Sequence, residues 1–153
     1  MKYLSLIAAI FTGDFFLKNH MEKTLEQGKT KEILKGRILL RKYHNEGACL
    51  NIGEKKAGMV AAVSLLLTAA LSLVFLFTLT KHGRGGLKTG LSLLLGGAYS
   101  NTYDRLKRKH VVDYFSFNVK WKPPRQIVFN LSDFCILIGA LIVAFTGDSI
   151  AQE

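Results

Sequence analysis

Three aspartates stand at the ends of two apolar segments in the second half of the chain: Asp104, Asp113 and Asp133. An ionised carboxylate inside a bilayer costs at least about 2.5–3.5 kcal/mol, so carboxylates in such segments usually serve a function. Three residues that can hydrogen-bond or pair a carboxylate lie beside them: Asn101, Arg105 and Asn130. The stretch 96–136 is therefore the candidate functional site.

Two carboxylates that lie close together cannot both ionise easily, so one keeps a proton while the other acts as a base. Such a pair can activate a water molecule and protonate a leaving amine, which is the chemistry of an aspartic protease. The same groups could instead hold a proton or a cation in a membrane transporter. The residues alone leave hydrolase and transporter equally open.

Other catalytic arrangements fit less well. The chain has no HExxH or other metal-ligand pattern, no GxSxG motif, and four scattered histidines: His20, His44, His82 and His110. Neither Cys49 nor Cys135 has an evident histidine partner or a metal or redox spacing, so both are predicted to be free thiols. We therefore predict no metal and no cofactor.

Apolar blocks must position these groups. Residues 57–80 form a block of 24 without charge, and residues 127–145 a block of 19 with Asp133 as its one charge. About 20 residues cross a hydrocarbon core, so both blocks are long enough and are predicted as transmembrane helices. Two shorter blocks, 3–17 and 87–103, are predicted as membrane helices whose polar residues face other helices.

We predict an all-α membrane protein with four transmembrane helices and a small β-containing extramembrane lobe, as a single domain over residues 1–153. The helices are expected at about 3–18, 57–80, 87–104 and 127–146. The lobe is 19–56, with one or two strands in 33–43, and 105–126 is an extramembrane loop. The first helix is predicted to be retained and not cleaved as a signal sequence.

Spacing within the helices predicts further contacts. Asp14 and Lys18 are four residues apart and share a helix face, so they are expected to pair. Two other pairs are three residues apart: Asn101 with Asp104, and Asn130 with Asp133. Three small residues allow close helix approach: Gly96, Gly97 and Ala98. Four aromatic residues are predicted at the membrane interface: Tyr114, Phe115, Phe117 and Trp121.

The net charge of +10 raises the possibility of a nucleic-acid partner. No aromatic-basic module accompanies the charge, and basic loops of membrane proteins commonly meet anionic lipid headgroups. We therefore predict membrane phospholipid as a partner and no nucleic acid.

Several blocks, in order along nearly the whole chain, resemble those of the lipoprotein signal peptidase (signal peptidase II) family of bacterial intramembrane aspartic proteases. The family's DxxxK pattern matches Asp14 and Lys18, and its NxGxxF-like block matches Asn45 and Gly47. GGAxGNxxDR matches residues 96–105, VVDF matches 111–114 and FNxAD matches 129–133. Each block is weak alone, but their common order makes chance agreement improbable.

The resemblance implies that Asp113 and Asp133 are the catalytic pair. It also implies a set of substrate-binding or supporting residues: Asp14, Lys18, Asn45, Gly47, Asn101, Asp104, Arg105 and Asn130. Asp104 is the main rival for the second catalytic position. The preferred interpretation of Asp104 is structural, as a helix cap or the ion-pair partner of Arg105.

The function implied by the resemblance is removal of signal peptides from prolipoproteins, with a cut before a diacylglyceryl-modified cysteine. The family's location implies a multi-pass protein of the bacterial inner membrane with its site near the periplasmic face, and we predict a monomer. The basic residues concentrate in 18–56 and 105–125, against a simple positive-inside count, so the orientation rests on the resemblance. The alternative is a non-catalytic, transporting or lipid-binding membrane protein that uses the same acidic residues.

The chain departs from the family's blocks at four places. Ser100 stands for glycine, Ser132 for alanine and Tyr114 for phenylalanine, while Cys49 and Leu50 replace a small-aromatic pair. The two serines add hydroxyl groups, which predicts altered hydrogen bonding or packing near Asn101 and Asp133.

Overall fold

The computed structural model describes residues 1–48, 53–119 and 127–147. Within them the chain is mostly helical and carries a small antiparallel sheet, in agreement with the predicted helical class and β-containing lobe. The helices are α1 (Lys2–Thr24), α2 (Ala57–Leu79), α3 (Gly85–Lys107) and α4 (Leu131–Gly147), and the strands are β1 (Thr30–Ile33), β2 (Ile38–Asn45) and β3 (Val111–Phe117). Three residues discussed above lie outside the described ranges: Cys49, Leu50 and Trp121.

Helix α2 is the one helix in the described ranges that is both long and apolar enough to cross a membrane. It carries no charge, and large apolar side chains such as Leu66 and Phe77 are about 70% exposed, at 69% and 72%. A helix that is apolar all round and exposed suits a lipid environment. The apolar helix Leu131–Thr146 within α4 is shorter.

The sheet draws its third strand from a segment that we expected to be a loop. The strand order is β1-β2-β3, all antiparallel, and β3 lies within the predicted loop 105–126. The backbone then returns along the free side of β3, where Phe129 and Phe115 exchange two hydrogen bonds of 2.7 and 3.1 Å. This return brings the start of α4 beside the middle of β3.

A register shift in β2 decides which side chain faces Asp113. Leu40 pairs with Phe115, but Tyr43 pairs with Asp113, so β2 holds one extra residue between these points. Side chains alternate between the two faces of a strand, and an extra residue reverses the faces beyond it. The shift therefore puts Asn45, and not His44, on the face of the sheet that carries Asp113.

Helices α3 and α4 meet backbone to backbone. A Cβ atom at Gly97 would lie 2.5 Å from the Ser132 carbonyl oxygen, and one at Gly139 would lie 2.6 Å from the Gly90 oxygen. The predicted close approach at Gly97 is confirmed. Since Ser132 precedes Asp133, this contact also sets the distance of the α4 N-terminus from α3.

We predict that Gly139→Ala lowers the free energy of unfolding by about 1–3 kcal/mol, because the new methyl group has no space beside the α3 backbone. Gly13→Ala is the matched control, since a Cβ there meets nothing within 4 Å and alanine favours a helix interior by up to about 1 kcal/mol. Thermal unfolding in detergent should shift in opposite directions for the two variants. Equal shifts would contradict the close helix contact.

Candidate active site

The Asp113 carboxylate is buried and held at both oxygens. Asn130 Nδ2 donates to Oδ1 at 2.7 Å, and Asn45 Nδ2 donates to Oδ2 at 3.1 Å. Asn45 is a diagonal neighbour of Asp113 across the β2–β3 pair, on the same face. The Gly47 backbone N–H donates to Asn45 Oδ1 at 3.1 Å, which turns the Asn45 amino group toward Asp113.

Asp133 lies in the first turn of α4 and forms a capping box with Asn130. The Asn130 backbone N–H donates to Asp133 Oδ2, and the Asp133 N–H donates to Asn130 Oδ1, both at 3.0 Å. This reciprocal pair satisfies two N–H groups that a helix start leaves unpaired. It also explains why α4 begins at Leu131 instead of the predicted position near 127.

Asn130 contacts both carboxylates and so joins β3 to α4. Its side-chain amino group donates to Asp113, while its backbone N–H donates to Asp133. Asn101, on α3, completes the group by donating to Asp133 Oδ1 at 3.0 Å. Two aspartates that lie twenty residues apart in the sequence therefore share one asparagine.

A buried cluster of charged side chains, in which cations and carboxylates alternate, adjoins these residues. Lys18 Nζ lies 2.8 Å from Asp14 Oδ2 and 3.0 Å from Asp104 Oδ2, and the Arg108 guanidinium reaches Asp104 Oδ1 at 2.9 Å. Lys18 and Asp14 are both 0% exposed. The predicted Asp14–Lys18 pair is thus present, and it is buried within the site.

The predicted ion pair between Asp104 and Arg105 is wrong. The partners of Asp104 are Lys18 and Arg108, whereas Arg105 donates to the Gly47 carbonyl oxygen at 3.1 Å and to the Asn101 carbonyl at 3.4 Å. Adjacent helical residues point in different directions, but residues four apart lie side by side. The spacing that predicted Asp14 with Lys18 also fits Asp104 with Arg108, which sequence reasoning missed.

The chain is similar to proteins of one known family over nearly its whole length. A family model described as signal peptidase (SPase) II matches residues 6–147, which include every helix and strand named above except the first four residues of α1. The chain belongs to the signal peptidase II family. The predicted family resemblance is confirmed, and the alternative of a transporter or lipid-binding protein is not favoured.

Individual signal peptidase II relatives match this chain in sequence over nearly its whole length, and two solved structures share its fold. The chain is 30% identical to a lipoprotein signal peptidase of Lactobacillus johnsonii, over 92% of this chain and 88% of that protein. It is 32% identical to one of Ectopseudomonas mendocina, over 100% and 93%. Two solved structures, both described as bacterial membrane enzymes, share the fold with TM-scores of 0.81 and 0.77 at 20% identity. They cover 99% and 94% of this chain, and 92% and 90% of theirs.

Three departures from the signal peptidase II blocks meet on one carboxylate. The hydroxyls of Ser100 and Ser132 both donate to Asp14 Oδ2, at 2.6 and 2.5 Å, and the Tyr114 hydroxyl lies 3.5 Å from Asp14 Oδ1. We expected the serines to alter hydrogen bonding near Asn101 and Asp133. Each serine directly precedes one of these residues in the chain, and both hydroxyls donate to Asp14. Tyr114 is 3% exposed, so its side chain lies in the interior of the protein, and its position relative to the membrane interface stays a prediction.

Potential metal ligands are few and do not form a cluster in the described part of the chain. The rings of His44 and His110, which appear scattered in the sequence, stack with centroids 3.9 Å apart, and His44 Nε2 lies 3.0 Å from Glu22 Oε1. Within residues 1–48, 53–119 and 127–147, no three His, Cys, Asp or Glu side chains are arranged to hold a metal ion. Cys135 is a free thiol, and Cys49 lies outside these ranges.

Burial, and next the nearby charge of Asp133, raise the pKa of Asp113 to about 7 from its usual 3.8, although Asn45 and Asn130 act in the opposite direction. The folded protein therefore holds this proton more tightly than the unfolded chain does. The stability that protonation confers is complete below about pH 4 and declines as the pH rises to about 7.

We predict that Asp113→Asn removes this decline. The melting temperature of the variant, relative to the parent, should rise between pH 5 and pH 8, by an amount equivalent to at most about 3 kcal/mol. Thermal unfolding in detergent across this range provides the test. Glu26→Gln, at an exposed ion pair with Lys29, is the control and should leave the parental pH dependence unchanged. If the melting temperatures of Asp113→Asn and the parent change in parallel with pH, the shifted pKa of Asp113 is contradicted.

Proposed function

We propose that this chain removes signal peptides from prolipoproteins by aspartic peptidase chemistry, with Asp113 and Asp133 as the catalytic pair. The relatives are lipoprotein signal peptidases by name, which supports the substrate class. The observation that carries the catalytic assignment is the double contact of Asn130, which hydrogen-bonds to one carboxylate with its side chain and to the other with its backbone. No other pair of aspartates in the described ranges is bridged in this way.

The two carboxylates differ in a way that suits acid and base roles. The pKa of Asp113 is raised to about 7, so this group keeps a proton near neutral pH. Asp133 accepts the Asn130 backbone N–H at the N-terminus of α4, where negative charge is favoured, and a side-chain N–H of Asn101 on α3. We assign the proton donor to Asp113 and the base to Asp133.

The reaction then follows the logic of a carboxyl pair. Asp133 takes a proton from a water molecule as the water oxygen attacks the carbonyl carbon of the scissile bond, and Asp113 gives its proton to the carbonyl oxygen. When the tetrahedral intermediate collapses, Asp133 returns a proton to the leaving nitrogen and Asp113 recovers one from the hydroxyl group. The cut is proposed to fall before the cysteine that carries diacylglycerol.

The remaining predicted residues take supporting roles in this proposal. Asn45, Asn101 and Asn130 orient the pair through their hydrogen bonds. Gly47 and Arg105 are linked to each other at 3.1 Å, and Gly47 also fixes Asn45. Asp14, Lys18 and Asp104 form the buried charged support. Asp104 is assigned a structural role because two cations neutralise it.

We predict that Asp113→Asn and Asp133→Asn each reduce cleavage at least about 100-fold, since each removes one half of an acid–base pair. The measurement is cleavage of a lipoprotein-precursor peptide that carries diacylglyceryl-cysteine, by purified protein in detergent. A chelator should leave the parent unaffected, because two carboxylates need no ion.

Glu26→Gln, at an exposed carboxylate, is the control and should retain parental cleavage. An active Asp113→Asn variant together with an inactive Asp104→Asn variant would move the pair to Asp104 and Asp133. Absence of cleavage by the folded parent would refute the proposed activity itself.

We also propose that the protein is a monomer of the bacterial inner membrane and that all four helices cross the bilayer. Membrane phospholipid surrounds the helices, and the sheet lies on the periplasmic side.

We predict that impermeant maleimide added to intact cells labels a cysteine placed at the exposed Lys29. A cysteine placed at the exposed His82 should react only after lysis. Both variants are made with Cys49 and Cys135 replaced by serine. The opposite labelling pattern would invert the orientation.

A further inference from the structure

Asp14 lies outside the proposed reacting pair, yet hydroxyl groups from three elements converge on it. Ser100 of α3 and Ser132 of α4 donate to the same oxygen, Oδ2, at 2.6 and 2.5 Å. Lys18 shares this oxygen at 2.8 Å. The aspartate and both serines are at most 2% exposed, so water does not compete for these bonds.

The Tyr114 hydroxyl of β3 supplies the third contact. It accepts the Leu131 backbone N–H at 2.9 Å and lies 3.5 Å from Asp14 Oδ1. An N–H group can only donate, so the proton of the hydroxyl remains for the carboxylate. Burial, and then the charge of Asp14, raise the pKa of Tyr114. The hydroxyl therefore stays a proton donor and links the first residue of α4 to α1.

Each hydroxyl belongs to the direct chain neighbour of a residue that contacts or forms the pair. Tyr114 follows Asp113, and Ser132 precedes Asp133. Ser100 precedes Asn101, whose amide donates to Asp133. The Asp14 carboxylate on α1 therefore contacts the chain neighbours of Asp113, Asp133 and Asn101.

We propose that Ser100, Tyr114 and Ser132 are positioning residues, whose hydroxyls on Asp14 hold Asp113 and Asp133 at the separation that cleavage requires. This inference rests on the proposed function, because it concerns how the same pair is held. The three residues do not touch the reacting atoms in this assignment. Their effect is therefore on the rate of the chemical step and not on binding of the precursor.

The expected loss of kcat follows from the sensitivity of catalysis to geometry. A displacement of about 1 Å in a reacting group can cost about 100-fold in rate. Ser100→Ala, Tyr114→Phe and Ser132→Ala each remove one hydroxyl and little volume. Each should lower kcat about 10-fold and leave KM within about twofold. The losses of the two serine variants should disappear in an Asp14→Ala background, which removes the carboxylate that accepts both hydroxyls.

The experiment measures kcat and KM with the diacylglyceryl-cysteine precursor peptide, well below the melting temperature of each variant. Two buried serines outside the site are matched controls. Ser92 lies on α3 like Ser100 and donates to the Lys88 carbonyl oxygen, and Ser116 lies on β3 like Tyr114 without a hydrogen-bond partner in the described ranges. Ser92→Ala and Ser116→Ala should keep the parental kcat.

A lower melting temperature with parental kcat would overturn the inference, because it would assign the hydroxyls to stability alone. A loss confined to KM would also overturn it. If one variant does not fold, the other two test the same carboxylate independently, and Ser132→Thr, which keeps a hydroxyl, should retain kcat. Failure here is distinct from failure of the proposed function, since parental cleavage and its dependence on Asp113 and Asp133 are measured separately.

Discussion

The buried ammonium group of Lys18 is the constraint on which the rest of the site depends. Removing such a charge from water costs several kcal/mol, and only close partners of the right kind offset it. Lysine has donors and no acceptor, so every neighbour must present an acceptor. Asp14 and Asp104 do so as carboxylates, and Asn101 does so with its amide oxygen at 2.8 Å. The amino group of Asn101 must then face the other way, toward Asp133.

The two halves of the site are fixed by different kinds of regular structure. Asp113 is placed by strand pairing, where one extra residue in β2 selects Asn45 as its neighbour. Asp133 is placed by the cap that starts α4. Asn130 belongs to both arrangements, because the segment that ends in it runs along β3 before the helix begins. Sheet and helix therefore cannot shift independently without breaking a bond at Asn130.

Sequence reasoning reached the parts of the site that depend on local spacing. The period of a helix was enough to pair Asp14 with Lys18, and small residues were enough to predict the contact at Gly97. The pairing of Asp104 with Arg108 follows the same four-residue rule, yet the adjacent Arg105 was preferred. The sheet register and the convergence of three hydroxyls on Asp14 depend on contacts between distant segments. No local pattern in the sequence contains that information.

The contact between α3 and α4 has an evolutionary consequence. Where Gly90 faces Gly139 and Gly97 faces the Ser132 carbonyl, the helices touch through main-chain atoms. Any substitution of these glycines adds side-chain atoms to a contact that has no space for them. Natural selection therefore has almost no tolerated variants of intermediate size at these positions. Substitutions that change side-chain size in small steps are open only to positions away from this contact.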